Sequence, residues 1–293
     1  MFNKPHILVC TDFSESSDWA LLEAHRFVEK KGGDIQLLHI AELNFYLRWL
    51  GHGLLEDDDH KRFICLIYND LMERMVAQSK RTGVECKASV LFEASAARGI
   101  KSFCMEKETS LILMGARGAT SSANLIGSLV RTVINQAEIP VMVIKSATPV
   151  RKVAGLIGGS EELKTVITVG QELSSLYGAE FEIHTSWPRL SPVMDTMCSE
   201  YSSAVRLQIE KESLQGMDEL RTKIHECLNR ESVVRVSMAA QFNVGKDLVD
   251  NLRAHDIDTV VLKKRHKSWL EQKLIGHVSD RVLELFKGNI LVT

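Results

Sequence analysis

Leu111 to Gly118 reads LILMGARG; Gly127-Ser128 and then Pro140 to Ile144 (PVMVI) follow it. An apolar run closes on glycine, a polar loop comes next, and Val130, Val133, Ile134 and Ala137 recur at helical spacing before a second apolar run. That order predicts strand, loop, helix, strand, the signature of parallel strands joined by a helical crossover. Upstream, His6 to Thr11 reads as a strand, and Ser14 or Ser16 can cap a helix. The first turn of that helix carries Glu15 and Asp18, and it ends on Lys30 and Lys31 before Gly32 and Gly33. A strand from Ile35 to Ile40 leads through a polar loop with Asp57, Asp58 and Asp59 into a helix with Phe63, Ile67, Leu71 and Met75 on one face. It ends near Gly83, after which Val84, Cys86, Ala88 and Val90 alternate as a third strand and Ser95 to Lys107 reads as a helix. The unit therefore holds five strands and four helices.

From Val153 the order begins again. A strand to Ile157, a helix ending near Tyr177 and Gly178, and strands Phe181 to Thr185 and Val233 to Met238 follow. A helix around Leu248 to Leu252 and strands Thr259 to Leu262 and Ile290 to Val292 complete the second set. By letters, Leu38-His39 faces Ile183-His184, each pair following a glycine (Gly33, Gly178) at a similar interval. The period is about 145 to 149 residues, domain-sized and far longer than that of a solenoid. Lys145 to Lys152, with Thr148 and Pro149, reads as the linker, which divides the chain into domains 1–147 and 152–293.

Composition agrees with two folded domains. The chain has 293 residues, 45% hydrophobic and 25% charged, close to the average for folded soluble proteins. A net charge of -2 gives no field that would draw nucleic acid or an anionic membrane. Six cysteines lie far apart without a C-x-x-C pair, and no apolar run reaches the length of a membrane span or of a signal peptide's apolar region. The expectation is a cytoplasmic protein with reduced thiols. His52, Asp57, Asp58, Asp59 and His60 lack metal-ligand spacing and read as a hydrated loop, so no metal site is expected. The tryptophans Trp19, Trp49, Trp187 and Trp269 read as packing residues or loop anchors.

In an open parallel sheet, ligands bind beyond the carboxyl ends of the strands, where helix N-termini offer amides to anions. Asp12 follows the first strand there, and Gly115-Ala116-Arg117-Gly118 the fourth. Eight residues later Gly127-Ser128 opens a helix. Glycines admit a phosphate close to the backbone, Ser128 can donate a hydroxyl proton to it, and Asp12 can accept from a ribose hydroxyl or an adenine amine. A structural account stands beside this one. Gly115 and Gly118 can make a turn, Gly127 can relieve crowding, and Asp12 can cap the first helix.

Val9 to Ser16 (VCTDFSES), Leu37 to Ile40 (LLHI), LILMGARG, Gly127-Ser128 and PVMVI together resemble the universal stress protein family, here as a tandem pair over almost the whole chain. The resemblance implies an α/β fold with two open five-stranded parallel-sheet domains and helices on both faces, Rossmann-like and adenine nucleotide alpha hydrolase-like. It also implies ATP, with or without Mg2+, in the N-terminal domain only. Gly115, Gly118, Gly127 and Ser128 would cradle the phosphates, Asp12 would contact the nucleoside, and Ile40 would pack on the adenine. The chain departs from the family at two points. Its loop from Gly118 to Gly127 is one residue shorter than the family's nine, and FEAS (Phe92 to Ser95) stands where the family has glycine and proline. A charge-assisted hydrogen bond contributes about 1.5–3 kcal/mol, and a dissociation constant near 0.1 mM needs only about 5.5 kcal/mol, so losing two contacts would abolish binding.

In the second unit, Lys263 stands for Gly115, His266 for Gly118, and Gly276-His277 for Gly127-Ser128, while Gly158-Gly159-Ser160 supplies no carboxylate where Asp12 was. This domain reads as one that kept its fold, shed nucleotide binding and can serve as a dimerisation or partner surface. The basic run Lys263 to Lys267 reads as a solvated loop that could also grip a phosphate or an RNA backbone.

These readings leave two functions. One is a stress-response protein whose N-terminal ATP site sets conformation or partner choice, with an unidentified protein partner and an internal pseudo-dimer able to pair again as a homodimer. The other is a nucleotide-free tandem scaffold in which both pockets are vestigial. No catalytic residue is expected, because no general base, serine elbow or Walker run is present, and hydrolysis of ATP would be slow at most. Asp12-Phe13-Ser14 is not the glycine fingerprint of a dinucleotide dehydrogenase.

Overall fold

The structure is a computed structural model that describes residues 4–42, 57–117, 126–158, 162–188, 203–228, 233–239, 244–264 and 278–293. Two compact units divide the chain. The first holds Met1–Ala147 and Asn289–Val292, the second Thr148–Gly288 and Thr293.

In the first unit the elements run β1 (His6–Cys10), α1 (Glu15–Lys31), β2 (Asp34–Glu42), α2 (Asp57–Thr82) and β3 (Lys87–Glu93). They continue as α3 (Ala96–Glu106), β4 (Leu111–Gly115), α4 (Ser128–Gln136) and β5 (Val141–Ile144). The strand order is β3-β2-β1-β4-β5, all parallel. β10 (Asn289–Val292), the last strand of the chain, pairs antiparallel with β5. The expectation of parallel strands alone missed this pair, because apolar runs do not declare their partners.

Ser14 caps α1, its Oγ accepting from Ser17 N at 3.3 Å. Lys30 and Lys31 end the helix on Gly32, whose positive φ of 71° lets its N–H return to the Val28 carbonyl at 2.8 Å. Neighbouring residues of β2 face opposite layers. Ile40 packs against Gly99 of α3, while His39 turns toward the side of α2. Helices therefore cover both faces of the sheet.

Two local expectations shift. Val84 does not start β3; its amide bonds Ser79 O at the end of α2, and the strand begins at Lys87. On α2, Leu71 and Met75 are buried as expected, but Ile67 is half-buried and Phe63 is 37% exposed. The apolar stripe thus meets the core only in the second half of the helix.

The second unit runs β6 (Lys152–Leu156), α5 (Leu163–Tyr177), β7 (Glu180–Pro188), α6 (Ser203–Cys227) and β8 (Val233–Ala239), then α7 (Val244–Ala254), β9 (Thr259–Leu262) and α8 (Val278–Leu285). Its order β9-β6-β7-β8, all parallel, is that of β4-β1-β2-β3. The equivalence by letters is one residue out. Thr11 N donates to Leu38 O at 2.9 Å and Ile157 N to His184 O at 3.1 Å, so His184 stands where Leu38 does and not where His39 does. A slip of one residue exchanges the faces of a strand, and the two histidines accordingly do unrelated work.

No described helix is long and apolar enough to cross a membrane.

Candidate functional site

β1 pairs with both β2 and β4, which sets the carboxyl ends of three strands side by side. The turn after β1 is built on Thr11. Its buried hydroxyl lies 3.0 Å from Ser17 Oγ and donates to Gln78 Oε1 at 2.8 Å. Gln78 Nε2 donates to Asp18 Oδ1 at 2.7 Å, and Arg81 grips the same carboxylate through Nε and Nη2 at 2.9 and 2.7 Å. This network fastens α1 and α2 to the end of β1.

Phe13 takes φ +66°, a conformation that bulky residues rarely adopt, with its N–H donating to Thr11 Oγ1 at 3.0 Å. The bend lays its ring 4.7 Å from that of His39 and 4.5 Å below the guanidinium of Arg74. His39 Nδ1 donates to Thr11 O at 2.8 Å. Burial pushes the His39 pKa down and Arg74 adds to the effect, while the Thr11 bond and Asp12 oppose it. Asp12 itself is exposed, and its Oδ1 accepts from Ser14 N at 3.1 Å. The helix cap is Ser14, which leaves Asp12 as the residue that shapes the turn.

Ser14 and Ser16 join this turn to the one after β4, both hydroxyls donating to Arg117 O, at 3.3 and 2.7 Å. Gly115 is required by that approach, because a Cβ there would come within 2.6 Å of the Ser16 carbonyl carbon. Ala116 N donates to Ile144 O at 2.9 Å, and Gly127 N to Ala116 O at 3.0 Å. Gly127 differs from Gly115. Its backbone (φ -61°, ψ 150°) suits any residue, and among the described residues a Cβ would meet only Ala116 O, at 3.9 Å. Ser128, exposed, opens α4 beside it.

The structure thus brings Asp12, Gly115, Gly127 and Ser128 to one edge, with Ile40 half-buried at the end of β2. Gly118 lies outside the described residues. The letters did not disclose the Phe13–His39–Arg74 stack. Lys145 directly follows β5, and its amide donates to Asn289 Oδ1 at 3.0 Å.

The second unit arranges the corresponding edge differently. Gly158, in the place of Asp12, donates its N–H to Glu162 Oε2 at 2.9 Å, so a buried carboxylate from the start of α5 closes this turn. Gly159, Ser160, His266, Gly276, His277 and the end of the basic run lie outside the described residues, as do His52, Trp49 and Trp269. Glu182 is buried beneath α7, held by Arg235 Nε and Nη2 at 2.5 and 3.1 Å, by Lys152 Nζ at 3.2 Å and by His184 Nε2 at 3.0 Å. His184 Nδ1 lies 3.0 Å from Asn251 Oδ1. Among the described residues no group of three His, Cys, Asp or Glu side chains could hold a metal ion.

Residues 4–145 match the universal stress protein family. No curated protein matches the chain. Among solved structures, a functionally unknown protein from Pseudomonas aeruginosa PAO1 is 15% identical, with a TM-score of 0.64 over 99% of this chain and 92% of its own. A universal stress protein from Archaeoglobus fulgidus DSM 4304 is 16% identical, with a TM-score of 0.64 over 99% of this chain and 96% of its own. At such identities the likeness is one of fold. It extends beyond residues 4–145 to 99% of this chain.

Proposed function

We propose that the first unit binds an adenine nucleotide, ATP in particular, and that the chain is a stress-response protein whose occupancy sets its conformation or its choice of protein partner. The nucleoside would lie at Asp12 and Ile40 and the phosphates at Gly115, Gly118, Gly127 and Ser128. Gly127 carries this reading. Neither its backbone nor its described neighbours demand glycine, and it stands at a helix N-terminus, where an anion is favoured. The second unit completes a tandem pair without a nucleotide, its turn closed by Glu162, whose charge would repel phosphate. We take the protein to be a binder with at most slow hydrolysis, acting in the cytoplasm.

Gly127→Val tests this. The substitution removes a modest helix cap, worth about 1 kcal/mol or less, and puts a side chain where a phosphate would lie. Titration calorimetry of the full chain should show ATP binding in the parent protein and none in the variant. Equal binding by both would overturn the assigned cradle.

One observation favours the nucleotide-free scaffold instead: the Gly127 N–H already serves Ala116 O, and Gly115 is explained by Ser16. Mass spectrometry of the denatured protein, freshly purified, separates the two readings by whether adenine nucleotide is released.

A further inference from the structure

From Phe63 to Tyr68 the chain reads FICLIY, an unbroken apolar run in the first half of α2. Ile67 is half-buried and the other members of the run are exposed, Leu66 to 68%. A helix that is apolar around most of its circumference is ordinarily enclosed by other elements, and contiguous exposed apolar surface marks a place where proteins associate.

The charges that flank the run identify what covers it. Lys61 and Arg62 precede it, Asp70 and Glu73 follow it, and all four are exposed. Arg62, Leu66 and Asp70 are spaced four residues apart, so they share one face of the helix. Among the described residues the side chains of Arg62 and Asp70 have no hydrogen bond or ion pair. Laid parallel on a copy of itself, this face would set Arg62 against Arg62 and Asp70 against Asp70. Turned antiparallel about Leu66, it sets Arg62 of each copy against Asp70 of the other, with leucine on leucine at the centre.

We propose that α2 is a contact between two copies of this chain, which pair their α2 helices antiparallel about Leu66. The contact is independent of the nucleotide reading. One helix face covers less surface than a permanent dimer requires, so the association is reversible and depends on concentration. Two-fold symmetry repeats the Arg62–Asp70 pair, so a single substitution acts at two points.

Sedimentation equilibrium of the full chain tests this, on the parent protein and on Leu66→Glu, Arg62→Asp, Asp70→Arg and the double variant Arg62→Asp/Asp70→Arg. The parent should show a monomer–dimer equilibrium. Leu66→Glu places two carboxylates at the centre and should weaken the dimer roughly 100-fold. Each single charge reversal should weaken it roughly 10-fold, while the double variant, which only exchanges the two charges, should return close to the parent. All three positions are exposed, so the melting temperatures of the variants, taken at concentrations where the parent is monomeric, should match its own. A parent that stays monomeric at every concentration overturns the proposal and leaves the run to a different partner. A dimer indifferent to Leu66→Glu places the contact on another surface and overturns it too. A double variant as weak as the sum of its two single changes would refute the antiparallel register.

Discussion

Thr11 gives its hydroxyl proton to Gln78 Oε1 at 2.8 Å, and both residues are buried, so the end of β1 is tied to the middle of the first unit by a polar bond that water does not reach. Removing one partner of such a bond leaves the other desolvated and unsatisfied. Gln78→Ala should therefore cost about 1–3 kcal/mol, read as a lower urea midpoint. An unchanged midpoint would show that Ser17, 3.0 Å from the Thr11 hydroxyl, suffices as its partner.

Two glycines of one motif should answer differently to the same change. Gly115→Ala drives a methyl group into Ser16, a case of overpacking expected to cost about 1–3 kcal/mol. Gly127→Ala meets no obstacle among the described residues and should change stability by less than about 1 kcal/mol. Thermal unfolding of the two variants side by side decides the matter, and equal losses would refute the distinction.

Phe13 covers the ring of His39, and burial is the chief reason why the His39 pKa lies below its ordinary value. Phe13→Gly removes that cover and also relieves the positive φ. The His39 pKa should rise toward the ordinary value of about 6.5, as followed by the ring-proton shifts in nuclear magnetic resonance. Stability should change little, because loss of packing opposes relief of strain. A pKa that stays low would assign the shift to Arg74.

Acid should weaken the second unit in two stages. Burial holds the His184 pKa below its ordinary value, against opposition from Glu182 and Asn251, so the unfolded chain takes up a proton before the folded one. The stabilisation is complete above about pH 6.5 and is lost as the pH falls through the lower folded value. For Glu182, burial would raise the pKa, but bonds from Arg235, His184 and Lys152 overturn that effect and hold it at about 2. Its stabilisation is present above the ordinary carboxylate value and is lost as the pH falls toward 2. His184→Leu, which installs the residue found at the matching position of the first unit, should flatten the first stage and, by removing one of the bonds that hold Glu182 low, move the second stage to higher pH. Urea midpoints across pH 3 to 8 (about that range) would expose a slope that survives the substitution, which would place the first stage elsewhere.

Local signals were legible where the backbone alone decides. Ser14 or Ser16 with Glu15 and Asp18 marked the start of α1, where the structure chooses Ser14, Lys31 and Gly32 marked its end, and the runs Val141–Ile144 and Thr259–Leu262 are strands with the bounds read from the letters. Signals failed where tertiary contact decides. Val84 looks like the first residue of an alternating strand but packs behind a helix end, and Phe63 keeps the helical spacing yet lies beyond the reach of the core. A leucine-histidine match could not distinguish His39 from His184, because only the register of the sheet reveals a slip of one residue. The site was half legible. Asp12 and the glycines stand within single motifs, whereas Phe13, His39 and Arg74 come from three separate segments that only folding assembles.

Asn289 lies 144 residues downstream of Lys145, yet its side chain holds the backbone there, and β10 borders β5. A growing chain that has released the first hundred and fifty or so residues therefore emerges from the ribosome with a bare sheet margin. Until Asn289–Val292 has been made and has paired, that margin is an open sheet edge on which a strand of another copy can add.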